Sequence, residues 1–294
     1  MTREEKKQTF NKTLFRWHKT HYRDMPWRRT HNPYKILVSE IMLQQTQVSR
    51  VRTKYVGFLK KFPNIKVLAR ASLGDVLRAW SGLGYNRRAR YLHECAKQVV
   101  REHDGRFPND LDELKKLPGI GLSTAGALLA FALEKDEPMI DTNIRRILTR
   151  VFFPQALRFD LKNSKGRTLG ISDTILYNFA KSLIPSGKGR VWNYAMLDLG
   201  ATQCTARSHS NRCPLGKLHG RVGDFQHKKP QKKFAHSDRY YRGRIVALLA
   251  ARNTCPLRTV ASVLALPNKR AHRITEKLLG EGLLKKYGNL LRLP

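Results

Sequence analysis

Two carboxylic acids in this chain have neighbours that set them apart. Glu40 lies inside ILVSEIML (36–43), an apolar run begun by Asn32 and Pro33, where a carboxyl is expected to be short of water. Desolvation disfavours its charged form, so a raised pKa and a proton held near neutrality are expected. Asp141, in PMIDTNIRRILTR (138–150), has the opposite setting. It stands where a helix begins, and free amides, the helix dipole and the nearby Arg145 and Arg146 favour its anion. Each acid has a plainer reading, Glu40 as a helix-surface or ion-paired carboxylate and Asp141 as an ordinary N-cap. Taken together, two carboxyls whose surroundings push their pKa values apart can divide proton donation and cation stabilisation between them.

A third feature is KLPGIGLSTAGALLAFAL (116–133), in which a helix end and Pro118 lead into Gly119 and Gly121 and then a small-residue helix opening with Ser123 and Thr124. Glycines at those two positions let backbone amides face outward and hold a phosphate at a helix N-terminus, the signature of a helix-hairpin-helix. A plain helix–helix connection is the alternative for the Gly-x-Gly alone.

The elements that must position these groups are helices. Apolar spacings of three and four predict them over 10–20, 33–51, 54–62, 75–82, 87–102, 110–117, 123–134, 142–152 and 174–184, separated by short Gly- or Pro-bearing turns. The fold class is all-α. The stretch 223–238 is polar and Lys-rich and reads as a linker. Beyond it, helices over 239–252, 256–265 and 269–281 and two short runs about a Gly-Asn turn describe a winged-helix-like module, 239–294. Residues 225–294 carry sixteen Lys and Arg against three Asp and Glu, so the third of these helices, with Lys269, Arg270 and Arg273, fits a nucleic-acid groove; a protein-contact winged helix is the other reading.

The 294 residues include 57 Lys and Arg against 22 Asp and Glu, a net charge of +35, which calls for a polyanionic partner and makes nucleic acid the first candidate. With 41% apolar residues the charge sits on a folding chain and not on a disordered tail. No stretch approaches a membrane span, the first ten residues are charged, and four scattered cysteines suit a reducing compartment. A cytoplasmic or nucleoid-associated monomer without membrane attachment is expected.

The segments SEIMLQQTQV (39–48), WSGLGYNRRARYLHECAKQV (80–99), LPGIGLSTAGALLAFAL (117–133), IDTNIRRILTRV (140–151) and NYAMLDLGATQCT (193–205), with MPWR at 25–28, resemble the adenine DNA glycosylases of the MutY type. The likeness runs in order over about residues 10–215. It implies the two-domain helix-hairpin-helix glycosylase fold: a six-helix barrel over 29–138 and a second helical domain made of 1–28 and 139–222. It also implies that Glu40 protonates the adenine ring and that Asp141 stabilises the sugar cation, the base having been extruded from the duplex. By the same resemblance Gln45 and Tyr85 fill the vacated stack, Arg87, Arg88, Gly119 and Gly121 contact DNA, and Ser123 is a pocket residue standing where the strand-cutting members carry a Schiff-base lysine.

The sequence departs from that pattern twice. Most relatives hold a four-iron cluster on Cys-x6-Cys-x2-Cys-x5-Cys, whereas CTARSHSNRCPLGKLHG (204–220) supplies only Cys204 and Cys213. No cluster and no metal is expected; zinc on Cys204, His209, Cys213 and His219 is a chemically possible alternative. Typical relatives also end in a NUDIX-like domain that reads 8-oxoguanine, and the winged-helix-like module stands in its place. The expected function is monofunctional removal of adenine mispaired with guanine or 8-oxoguanine in double-stranded DNA, in base excision repair. A thymine or uracil mismatch glycosylase and a non-catalytic DNA-binding protein are the alternatives.

Overall fold

The computed structural model describes residues 1–154, 171–205, 213–219 and 234–294. Among them fourteen α-helices and one small sheet form two compact units. The first comprises Met1–Ile36, Asn109–Leu111 and Ile120–Lys229; the second comprises Leu37–Pro108, Asp112–Gly119 and Pro230–Pro294. The division therefore falls inside α2 (Pro33–Leu43) and between Gly119 and Ile120, and it assigns the C-terminal module to the second unit.

In the first unit, α1 (Arg3–His21) opens with a capping box in which Thr2 and Glu5 exchange hydrogen bonds. Its Phe10 and Leu14 are buried, and the helix packs on α11 (Gly189–Thr202). That helix also contacts α8 (Leu122–Phe131) and α9 (Thr142–Phe152), so it is the centre of the unit, with α10 (Asp173–Lys181) beside α9. One small residue lets α8 approach the segment that leads into α9: a Cβ on Gly126 would lie 2.2 Å from the Pro138 carbonyl oxygen. At the core of this unit Asp198 of α11 is fully buried. It accepts two hydrogen bonds from the Arg28 guanidinium, at 2.7 and 2.8 Å, one from the Arg23 amide, and faces His18 Nε2 at 3.2 Å.

The second unit is built on α6 (Arg87–His103), against which α4 (Ile65–Arg70) and α5 (Leu73–Trp80) pack, with α3 (Val48–Lys61) on α5 and α7 (Leu111–Lys116) leading to the hairpin. Caps from Asn64 and Ser72 start α4 and α5. The expected continuous helix over 33–51 is broken. It stops at Leu43, resumes at Val48, and Gln45 between them has a left-handed backbone with φ 56°.

The C-terminal module contains α12 (Asp238–Arg252), α13 (Leu257–Val263) and α14 (Asn268–Gly280). A three-stranded antiparallel sheet of order β1-β3-β2 completes it: β1 (Thr254–Pro256), β2 (Lys285–Tyr287) and β3 (Leu290–Arg292). This is a winged-helix arrangement, as its sequence pattern predicts. Thr254, just ahead of the helix expected over 256–265, lies in β1, paired with Arg292. In α14, Arg270 and Arg273 are both bound to Asp238, so two of the three cations expected to enter a groove are engaged inside the module.

Candidate functional site

Glu40 lies on α2 among Ile36, Leu37, Val38, Ile41 and Met42, all essentially buried, while Glu40 itself is half-buried. The apolar run thus anchors the helix and leaves the acid at the edge of the anchored face. Asn32 starts this helix, its Oδ1 accepting from the Lys35 amide at 3.1 Å, with Pro33 in the first helical position.

The end of α2 is held by an unexpected group. Arg88 is 8% exposed, and its two terminal nitrogens donate to five main-chain carbonyls, those of Ile41, Met42, Gln44, Leu83 and Gly84, and to the Thr46 hydroxyl, at 2.5–3.3 Å. Arg88 is therefore not a phosphate contact. Its cation is consumed by orphan carbonyls at the C-terminus of α2, where the helix dipole is negative, and by the turn preceding α6. Burial without a carboxylate pulls its pKa down to about 10, which still leaves it charged at neutrality.

This one guanidinium joins the two loops that carry Gln45 and Tyr85. Both residues are exposed and both have left-handed backbones, φ 56° and 49°, a conformation that costs a non-glycine residue roughly 1–2 kcal/mol. The Tyr85 ring centroid lies 5.4 Å from the Arg88 guanidinium carbon. Arg87, next in the chain, is exposed and donates to the Tyr91 hydroxyl at 2.9 Å. In the hairpin, Gly119 has φ 77°, and a Cβ there would lie 2.8 Å from Cβ of Tyr91. Gly121 differs: its backbone is extended, it caps α8, and a Cβ would meet nothing within 4 Å. Ser123 sits half-buried in the first turn of α8.

Asp141 belongs to the first unit and is the N-cap of α9, as the sequence predicts. Its Oδ1 accepts from the amides of Asn143 (2.9 Å) and Ile144 (2.8 Å), and its Oδ2 from Asn143 Nδ2 (2.9 Å). Asn143 is in turn gripped by Arg146, which also donates to the carbonyls of Gly200 and Cys204. The approach is close, since a Cβ on Gly200 would fall 2.5 Å from Cβ of Asn143. Upstream, Asn193 of α11 accepts from the Met139 amide and donates to the Glu137 carbonyl, fixing the segment that delivers Asp141. The electrostatic expectation needs correction. Burial is the largest influence on Asp141 and pushes its carboxyl above the ordinary 3.8, against the Ile144 and Asn143 donors and Arg146, which pull it down. The result is a half-buried carboxylate with fixed donors, one that gains more than a fully solvated anion does when a cation arrives beside it.

The iron–sulfur cluster of the resembling glycosylases does not fit the residues present. Cys204 Sγ accepts from the buried Arg150 guanidinium at 3.2 Å, which sets a fixed cation where a metal ligand would face a metal. Burial raises the Cys213 thiol to about 11, disfavouring the thiolate a metal needs. His219 Nε2 is 3.9 Å from Cys213 Sγ, and His209 of the zinc alternative lies outside the described residues. Among the described residues no group of three or more His, Cys, Asp or Glu is placed to hold a metal.

Residues 38–161 match the HhH-GPD superfamily of base excision DNA repair proteins. The adenine DNA glycosylase of Mycolicibacterium smegmatis is 36% identical over 279 residues, covering 93% of this chain and 92% of that protein. The human adenine DNA glycosylase is 36% identical over 219 residues, 71% of this chain and 38% of the human protein. A solved thermostable thymine-DNA glycosylase is 29% identical with a TM-score of 0.65, covering 74% of this chain and 96% of that one. A solved endonuclease III–DNA complex, 22% identical with a TM-score of 0.59, shares the fold. The chain belongs to the adenine DNA glycosylase family, a family of DNA N-glycosylases, and its partner class is DNA.

Sequence reasoning missed Arg88 as an internal tie, and Asn193 and Asn143 as the residues that fix Asp141. The only signal for them was their place inside the motifs; nothing in their spacing distinguishes a buried guanidinium from a surface one.

Proposed function

We propose that this protein removes adenine mispaired with guanine or 8-oxoguanine from double-stranded DNA, as a monofunctional and monomeric glycosylase acting inside the cell in base excision repair. Glu40 donates the proton that makes the base a leaving group. Asp141 stabilises the sugar cation that remains, and its half-buried carboxylate, held at the start of α9 by the Asn143 and Ile144 donors, is the observation that carries the reading. Water then attacks C1′ of the sugar. Gln45 and Tyr85 occupy the stack while the adenine is out of it, which suits two exposed side chains on strained turns. Ser123 in place of a lysine leaves no amine for a Schiff base, so the product is an abasic site and not a cut strand. Arg87, Gly119 and Gly121 meet phosphates. The reaction runs without an iron–sulfur cluster or zinc.

The thymine-DNA glycosylase likeness motivates a second reading, excision of thymine or uracil opposite guanine. A panel of labelled duplexes followed by alkali separates them. Cleavage confined to adenine strands, and only after alkali, supports the proposal. Cleavage at thymine or uracil strands establishes the second reading, cleavage without alkali refutes monofunctionality, and absence of any cleavage favours a binding protein. Glu40→Gln abolishes release while leaving duplex binding intact; persistent release overturns the assignment of the acid. Stoichiometric iron or zinc in the purified protein overturns the metal-free reading.

A further inference from the structure

The winged-helix module is seated on the same helical hairpin that carries Tyr85. α12 packs on α5, and the final carbonyl of the chain, Pro294 O, accepts from the Gly74 amide at 2.7 Å. The fit is close, because a Cβ on Gly74 would lie 2.6 Å from that oxygen. Arg78 of α5 donates to Asn253 at 3.1 Å, and Arg90 of α6 donates to the main-chain carbonyl of Glu281. Finally, Arg239, in the first turn of α12, donates to the Tyr85 hydroxyl at 3.3 Å. The exposed tyrosine is thus met by two cations of its own unit, Arg88 at its ring and Arg239 at its hydroxyl.

The module is itself basic. Residues 238–294 carry twelve Lys and Arg against Asp238, Glu276 and Glu281. Two of those acids are already paired, Asp238 with Arg270 and Arg273, and Glu281 with Arg242. Beside Tyr85 stand Arg87 of α6, which is exposed, and Arg239 of α12, which is half-buried. Two arginines beside a residue proposed to enter the duplex, on a module with an excess of cations, fit the phosphate backbone of DNA and disfavour a basic protein partner.

We infer that the C-terminal module is an arm of the DNA interface, with Arg239 contacting a backbone phosphate beside Tyr85 and coupling the module to that side chain. The inference rests on the proposed placement of Tyr85 at DNA. It also reverses the usual expectation for a winged helix, since the contacting edge is the start of α12 and not the arginines of α14, which Asp238 retains.

The test uses the full chain and a mismatched duplex, with affinity measured across a series of salt concentrations. Arg239→Ala weakens binding several-fold at low salt and lowers the slope of log affinity against log salt by about one, the signature of one lost phosphate contact; Arg239→Glu weakens it further. Arg252→Ala, at the far end of the same helix, leaves the slope unchanged. Equal slopes for wild type, Arg239→Ala and Arg239→Glu, at unchanged melting temperature, overturn the inference, as does an equal effect of Arg252→Ala, which would reduce it to net charge. Coupling is read separately from single-turnover excision. Tyr85→Phe removes only the hydroxyl, so Arg239→Ala and Tyr85→Phe are non-additive; additive losses overturn the coupling. Tyr85→Ala that excises and binds like wild type refutes the placement of Tyr85, a result distinguishable from failure of the salt test.

Discussion

The side-chain amide of Asn143 lies 2.9 Å from Oδ2 of Asp141 and, with two backbone amides on Oδ1, makes the third donor to a carboxylate that burial nevertheless holds above its ordinary pKa. Asn143→Ala removes one donor without touching the acid. A hydrogen bond to a charged group is worth roughly 1.5–3 kcal/mol, so single-turnover excision is expected to fall by about tenfold to a hundredfold at unchanged duplex affinity. An unchanged rate would show that the amide only decorates the helix cap.

Asp141 also sets a pH dependence. Its pKa is higher in the folded than in the unfolded chain, so the folded state binds more protons and ionisation costs stability as pH rises from 3.8 through the folded pKa. Asp141→Asn keeps a capping oxygen and loses the charge. The variant is expected to be inactive and more stable than wild type at pH 7, with the difference vanishing below pH about 4; melting curves across that range check it.

Arg88 separates a structural role from an electrostatic one. Arg88→Met leaves five carbonyls short of a donor and is expected to lower Tm by on the order of 5–10 °C. Arg88→Lys recovers only part of this, because an ammonium cannot span both loops. The salt slope of DNA binding stays at the wild-type value in both variants; a slope reduced by about one at unchanged Tm would restore Arg88 as a phosphate contact.

The two hairpin glycines are expected to respond differently. Gly119→Ala meets Tyr91 at 2.8 Å in a left-handed conformation, so the fold loses roughly 1–3 kcal/mol. Gly121→Ala has open space and extended backbone, so the fold is unaffected and only affinity for duplex drops. Denaturation and binding measured on the same two preparations decide it.

Asp198 tests the core of the first unit. Burial alone would raise its pKa, but hydrogen bonds from His18 and Arg28 and the Arg28 charge win, and the carboxyl lies below 3.8. A depressed pKa contributes stability above the unfolded value and loses it as pH falls through the folded one. Asp198→Asn strands the buried Arg28 charge and is expected to cost about 3–5 kcal/mol at neutral pH. Unfolding in urea at pH 7, and again below pH 3.8 where the difference narrows, measures it.

Much of the site was legible before any coordinates. The cap at Asp141 followed from an acid placed ahead of an amphipathic run, and the hairpin from glycines between two helices. The winged-helix module followed from three periodic segments and a Gly-Asn turn. The helix break at Gln44–Gln47 was not legible: the local pattern continues to favour helix, and the carbonyls released there are taken by a guanidinium over forty residues away. The seat of the C-terminal module was equally hidden, because the groups that meet, Gly74 with Pro294 and Tyr85 with Arg239, have no periodic relation in the chain.

By itself the sequence determined the chemistry available: a large positive charge that demands a polyanion, two acids in different settings, a phosphate-ready hairpin and too few cysteines for the familiar cluster. Tertiary structure alone decided which charges remain free to act. Arg88 was withdrawn from the surface, Arg270 and Arg273 were bound within the module, and Asp141 was half-buried among fixed donors. The physical reason is that spacing along a chain fixes which residues share a face. Desolvation and the supply of acceptor carbonyls depend instead on what distant segments bring to that face once they pack.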